Sequence, residues 1–210
     1  MNKKVLIAVL LVTMAGSVIN AAPVKKQLKL TKNVIVETQT KNTAIKNKKE
    51  ETANLLENLR YAEAKTNIEE LLTTNPTDLD ANIFLNSYLI SQNRLNEAQD
   101  NIDELFTKHP NNSELYFLQG LIYLKRPETS NMSYRNNSKY YYDSGVEALQ
   151  KAIELNKENY KAYNALGVAL MSAGNFEKAE EYFKSINING KELNIFFDSY
   201  KGVNYDWFEK

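Results

Sequence analysis

A chain of 210 residues that is 43% hydrophobic and 25% charged can fill one ordinary domain or one short solenoid, and its composition excludes disorder throughout. With no cysteine and a single histidine, His109, it has no disulfide, thiol nucleophile, Cys-based zinc or iron–sulfur site or lipidated cysteine, and no basis for a histidine triad or multi-histidine metal cluster. The formal charge of zero is unevenly divided: residues 22–49 carry eight lysines against Glu37, net +7, whereas residues 50–210 carry 16 basic and 25 acidic residues, net −9.

Taken in chain order, Met1-Asn2-Lys3-Lys4, the apolar run Val5 to Val12, the weaker Thr13 to Ile19 and the small Ala21 and Ala22 follow the order of a secretory signal peptide. Cleavage after Ala21 is the expected cut, because cutting after Ala22 would set Pro23 beside the scissile bond. An uncleaved membrane anchor is the alternative, but the apolar stretch is about 15 residues against roughly 18 or more to span a bilayer. Export places the protein in a bacterial periplasm or cell envelope, or outside the cell. Bacterial origin follows from the short signal and the Lys/Asn-rich usage.

Residues 22–44 then read as a basic flexible arm. A basic arm can touch anionic lipid, cell-wall polymer or nucleic acid; the plainer reading is a solvated linker, and for the protein as a whole no nucleic-acid partner is expected. Leu30 to Glu37 is β-prone yet too short and isolated to form a sheet alone.

Self-similarity appears next. Ala64 and Ala98 each lie twelve residues before Pro76 and Pro110, so both features step by 34. The same frame places Ala179 in Gly174-Asn175-Phe176-Glu177-Lys178-Ala179 and predicts a small-residue turn before each second helix. Two antiparallel helices of three to four turns with short connectors fill roughly 34 residues, and apolar residues at i, i+3, i+4 and i+7 give each helix one buried stripe. The units begin near Ile45, Leu79, Ser113 and Tyr160, so the third spans 47 residues instead of 34, an insertion of 13. It falls at 126–139, where Pro127 discourages helix and Ser130, Asn131, Asn136, Asn137 and Ser138 favour turns.

These residues resemble the tetratricopeptide repeat, whose period is 34 and whose signature is spread over two helices. Tyr163, Leu166, Gly167, Leu170, Ala179, Phe183 and Ile186 match its pattern in the fourth unit, although Asn187 and Lys191 replace the usual large residue and proline. The second unit matches through Leu85, Leu89, Ala98, Ile102, Leu105, Phe106 and Pro110 but has Asn86 at the glycine position. The third has Tyr116, Gly120, Tyr123, Gly145, Leu149, Ala152 and Ile153; the first matches in its second half, through Tyr61, Ala64, Ile68, Leu71, Leu72 and Pro76.

The resemblance implies an all-α, right-handed superhelical solenoid of about four helix-turn-helix units at 45–78, 79–112, 113–159 and 160–190. Residues 191–210 would form a C-terminal cap and aromatic tail, with Lys191–Tyr200 as a capping helix and Tyr205, Trp207 and Phe208 folded back on it or, as the alternative, exposed as an aromatic recognition tail.

It also implies a concave groove walled by the first helices. On that wall the resemblance places Ile83, Ser87 and Ile90 from the second unit, Phe117, Leu121 and Leu124 from the third, and Asn164, Val168 and Met171 from the fourth. Such a stripe marks a surface for a hydrophobic or amphipathic protein segment, unless the arm, insertion or tail fills it. The carboxylate grip of one subclass is not supported: Lys49 suits it, but Ala53, Phe84, Glu114 and Leu118 hold its other positions.

Nothing points to catalysis, a cofactor or a metal. Glu69-Glu70 and Glu180-Glu181 are adjacent on helices, about 100° apart, and read as solvated faces rather than acid–base pairs. Tyr140-Tyr141-Tyr142 beside Arg135 and Lys139 could stack bases or sugars, though a helix start with Tyr142 in the core is the simpler account. His109 reads as an exposed turn residue. The expected function is that of a protein-interaction scaffold or adaptor in the bacterial envelope, with an envelope structural component tethered by its basic arm as the alternative.

Overall fold

The computed structural model describes residues 21–128, 131–184, 187–188 and 191–192. The expected signal peptide, apart from Ala21, and the aromatic tail lie outside these residues. Nine helices are present among them: α1 Ala21–Glu57, α2 Tyr61–Thr74, α3 Leu79–Ser91, α4 Leu95–Lys108, α5 Ser113–Lys125, α6 Met132–Asn136, α7 Ser138–Leu155, α8 Tyr160–Ser172 and α9 Phe176–Lys184. By internal contacts the chain separates into Met1–Asn47 and Lys48–Lys210.

The first unit contains the N-terminal part of α1, where a flexible arm was expected. From Val24 to Asn75 there is neither glycine nor proline, so nothing interrupts the helical ladder. Thr38, Thr40 and Thr43 each turn their hydroxyl back onto the carbonyl four residues earlier, at 2.8, 2.9 and 2.9 Å, a helical way of satisfying residues that otherwise favour strand. The β-prone stretch Leu30 to Glu37 is thus helical.

The second unit is an all-α solenoid of helix pairs: the C-terminal part of α1 with α2, then α3 with α4, α5 with α7, and α8 with α9. Each first helix after α1 starts on an Asx cap. Asp78, Asn112 and Asn159 accept from the N–H three residues on, at 3.0, 3.0 and 3.1 Å, each satisfying one of the orphan donors of a helix start. These caps are spaced 34 and 47 residues apart, the intervals read from the repeats.

The turn between helices recurs as well. Leu59, Asn93 and Gly174 all have positive φ, of 57°, 58° and 74°, and all occupy the fifteenth position of their unit. The expected small residue is present in the second and fourth units; in the first, Leu59 adopts this left-handed conformation and its side chain stays 68% exposed.

Where the two helices of a pair cross, the side chains are small. Ala64, Ala98 and Ala179 are at most 1% exposed and Gly145 is buried. The eighth position of each first helix's unit holds Thr52, Asn86, Gly120 and Gly167, all buried. A Cβ on Gly120 would lie 2.7 Å from Leu149 Cγ, and one on Gly145 would lie 2.8 Å from Leu124 Cγ. The core is continuous along the stack: one cluster gathers Leu89, Ala98, Ile102, Leu115, Leu118 and Ile122 from α3, α4 and α5, and another gathers Leu149, Ala152, Ala162, Leu166 and Ala179 from α7, α8 and α9.

The insertion is more helical than its turn-forming residues suggest. Arg126–Glu128 form a 3₁₀ turn, Met132–Asn136 form α6, and α7 begins at Ser138. The other units start their second helices at Tyr61, Leu95 and Phe176, so the frame places that start at Tyr142 and α7 has gained a turn. Arg126 is 8% exposed; its guanidinium donates to Asn96 Oδ1 at 3.1 Å and lies 6.0 Å from the Tyr141 ring centroid, tying the insertion to the start of α4.

At the other end, α9 stops at Lys184. Asn187–Ile188 pairs antiparallel with Lys191–Glu192, so the first two residues of the expected capping helix form an extended pair instead. The rest of that segment lies outside the described residues.

Candidate protein-binding groove

The first helices α3, α5 and α8 lie side by side, and the nine residues expected on their shared wall divide into two groups. Ile83 and Ile90 are 9% and 3% exposed and belong to the core cluster of α3, α4 and α5. Leu124 fills the space left by the missing side chain of Gly145 and so serves the α5–α7 crossing. These three are packing residues. Their apolar character was legible, but burial depends on how α3 and α5 are rotated against their neighbours.

The remaining residues form a half-buried stripe. Phe117 and Leu121 are one turn apart on α5; Asn164, Val168 and Met171 follow at i, i+4 and i+7 on α8, hence on one face. All five are half-buried. Phe117 touches both core clusters, so it bridges the third unit to its neighbours. Ser87 on α3 is also half-buried, but its hydroxyl is used internally, donating to Ile83 O at 3.0 Å. The Asn164 Oδ1 atom is buried and accepts no hydrogen bond, leaving an acceptor without a partner on this stripe, an arrangement with an energetic cost.

Charged groups flank the stripe. Lys161 Nζ sits 5.8 Å from the Phe117 ring centroid and bonds Glu114 at 2.9 Å, joining α8 to α5. The Tyr160 hydroxyl donates to Glu57 Oε1 at 3.1 Å, linking the first helix of the fourth unit to that of the first. Burial pushes the Tyr160 phenol upward, and the Glu57 carboxylate adds to it. Lys49 reaches Asp78 at 2.7 Å and Asp80 at 2.9 Å, so both carboxylates already hold this cation. Sequence reasoning missed the Tyr160–Glu57 and Lys161–Glu114 contacts, because each joins residues from different units.

The other singled-out residues occupy structural places. Glu69, Glu70, Glu180 and Glu181 are exposed. Tyr140 is 61% exposed while Tyr141 and Tyr142 are half-buried, and burial raises the Tyr142 phenol. His109 is half-buried rather than exposed, and closes α4 through its N–H to Leu105 O at 2.8 Å. Among the described residues no group of three or more His, Asp or Glu side chains is placed to hold a metal ion.

Residues 134–190 match the tetratricopeptide repeat family. No curated protein sequence matches the chain. Among solved structures, the chain is similar to TTC0263, a thermophilic TPR protein of Thermus thermophilus. That likeness has 22% identity over 67% of this chain and 72% of that chain, with a TM-score of 0.57. It is also similar to human IFIT1, at 20% identity over 72% of this chain and 34% of that chain, TM-score 0.54. MamA of Desulfovibrio magneticus RS-1 is 18% identical over 76% of this chain and 78% of that chain, TM-score 0.43. The first two likenesses are ones of fold, and they agree with the caps, crossings and left-handed turns that recur at the repeat interval. Residues 134–190 are thus a tetratricopeptide repeat segment, and the helix pairs of the chain have the tetratricopeptide repeat fold.

Proposed function

We propose that the protein is an exported scaffold or adaptor of the bacterial envelope that binds a hydrophobic or amphipathic protein segment along the first helices. Tetratricopeptide repeats generally mediate protein–protein interaction. The observation that carries the finer reading is the half-buried stripe of Phe117, Leu121, Val168 and Met171 on α5 and α8. Half-buried apolar side chains of this kind supply affinity for a hydrophobic or amphipathic segment without specifying its register.

A photo-crosslinking residue at Val168 or Met171 of the full chain should trap a protein segment in native envelopes, whereas one at exposed Glu158 should trap none. Val168→Asp in the Met171-labelled chain should remove the adduct without loss of helicity. An adduct that survives Val168→Asp in a folded chain sinks the groove reading.

A further inference from the structure

A cleft of about 630 Å³ opens between α5 and α7, on residues other than those of the stripe described above. Tyr116, Gln119 and Tyr123 line it at i, i+3 and i+7 of α5, hence from one face. Ser144, Glu147, Lys151 and Glu154 line it from α7 at i, i+3, i+7 and i+10. The two helices run antiparallel, since Ser113 bonds Ala152 O and the Tyr123 ring centroid lies 6.3 Å from that of Tyr141. Tyr123 therefore stands at the Ser144 end of the cleft and Tyr116 at the Glu154 end, about 10 Å apart along α5. Both rings are already held by a neighbour. Tyr116 packs on Phe106 of α4, with 4.8 Å between centroids, as Tyr123 packs on Tyr141, so neither ring has to be ordered when a ligand arrives.

The polar groups of the cleft are left over by the fold. Elsewhere on the helix pairs such side chains bond one another, as Arg60 does Glu63 and Lys139 does Asp143. In the cleft Lys151 bonds Glu154 at 2.9 Å. The side chains of Tyr116, Gln119, Tyr123, Ser144 and Glu147 make no hydrogen bond to another described residue. Burial pushes the Tyr123 phenol upward, and Tyr140 and Asp103 add to it, so this hydroxyl stays a proton donor. The lining selects the ligand class. An apolar peptide segment needs aliphatic walls, and among the described lining residues that contribution is Ala148 alone. A cation needs an uncompensated acidic wall, whereas Lys151 offsets Glu154. A sugar ring has an apolar C–H face to lay on a tyrosine and a rim of hydroxyls that donate and accept, which tyrosine, serine, glutamine and a carboxylate can meet. Two ring platforms on one face of a straight helix suit a chain that keeps its sugars in line, as a β-1,4 linkage does and a coiling α-1,4 linkage does not.

We propose that the cleft between α5 and α7 binds a straight, β-1,4-linked oligosaccharide, with sugar rings stacked on Tyr116 and Tyr123 and their hydroxyls bonded to Gln119, Ser144 and Glu147. The site shares no residue with the stripe on α5 and α8, so it stands or falls independently of the groove.

Calorimetric titration of the full chain with cellotetraose and with chitotetraose tests this, the first carrying plain hydroxyls and the second acetamido groups on the same linkage. At least one should bind with a Kd of about 1 mM or tighter, and maltotetraose, which coils, should bind about tenfold more weakly or not at all. Tyr123→Leu and Gln119→Ala should each weaken the better ligand by about tenfold. Ser144→Ala and Glu147→Gln leave the packing of α7 intact and should weaken it as well, while Val168→Asp on the groove stripe should leave it unchanged. Absence of binding by both β-1,4 tetrasaccharides, equal binding of maltotetraose, or undiminished binding by the folded Tyr123→Leu and Glu147→Gln chains overturns the proposal. So does a photo-crosslinking residue at Gln150 that traps a protein segment from native lysate, which would make the cleft a peptide site.

Discussion

Asn159 Nδ2 donates to Ser113 Oγ at 2.8 Å, so the residue that caps α8 is bonded to the residue that opens α5. The same Asn159 side chain caps α8 through Ala162 N–H at 3.1 Å, and Ser113 in turn donates to Ala152 O near the end of α7 at 2.8 Å. Asn159 is 3% exposed, so its polar atoms have little water to fall back on. Asn159→Ala should lower unfolding stability by about 2–3 kcal/mol, combining a lost cap with a lost buried bond. Asn112→Ala removes a cap alone and should cost about 1 kcal/mol. Urea unfolding of both variants measures the difference; equal losses would show that the bond to Ser113 contributes nothing.

Gly120 and Gly145 bring α5 and α7 into backbone contact. A Cβ on Gly145 would stand 3.2 Å from Gly120 O, and one on Gly120 would stand 3.1 Å from Gly145 O. Gly145→Ala should therefore destabilise by about 1–3 kcal/mol through overpacking, despite the better helix propensity of alanine. Leu124→Ala in that background removes the 2.8 Å clash with Leu124 Cγ, so the double variant should lose less than the sum of the two single ones. A thermal-unfolding cycle with additive losses would contradict the clash.

Leu59 holds φ 57° with a 68% exposed side chain, a conformation that costs a non-glycine residue roughly 1–2 kcal/mol. Leu59→Gly should stabilise by about 0.5–1 kcal/mol, because relief of that strain outweighs the added entropy of the unfolded chain. Asn93→Gly, at the same position of the next unit, should gain less, since asparagine tolerates this region better. The two midpoints in guanidinium order these effects.

The Lys49–Asp78 pair sets limits at both ends of the pH scale. Burial works to raise the Asp78 carboxyl, but bonds from Lys49 and from the Ala81 and Asp80 N–H groups prevail and hold it below its ordinary 3.8. A folded value below the unfolded one stabilises above about pH 4 and is lost as pH falls through the lower folded value. For Lys49, burial works downward, and the bonds to Asp78 and Asp80 prevail to raise it above 10.5. That contribution is complete below pH 10.5 and is lost as pH rises through the raised value. Asp78→Asn keeps a capping oxygen and should cost about 1 kcal/mol at pH 7. The gap between variant and wild type should begin to narrow as pH falls below the ordinary 3.8 of the carboxyl; a gap that stays constant on acidification from about pH 7 to about pH 2 would rule out the ion pair as its source.

The repeat frame was legible because its markers are local. A small residue at Ala64, Ala98, Gly145 and Ala179 is required wherever two helices cross closely, and Pro76 and Pro110 stand where a second helix stops, so a fixed interval exposes both. The α-helical run from Ala21 was obscured because β-branched residues and lysines weaken local preference, while the absence of glycine and proline, which does decide it, is a negative signal. The candidate groove was legible in outline only. Repeat position names the stripe, but whether Ile83 faces the wall or the core depends on the rotation of α3 against α4 and α5. Contacts such as Lys161 with Glu114, or Tyr160 with Glu57, join side chains 47 and 103 residues apart. The sequence by itself determined the period and the crossings, since each rests on backbone geometry within one helix pair. Only the tertiary structure decided which apolar side chains remain available to a partner, because that depends on packing between pairs.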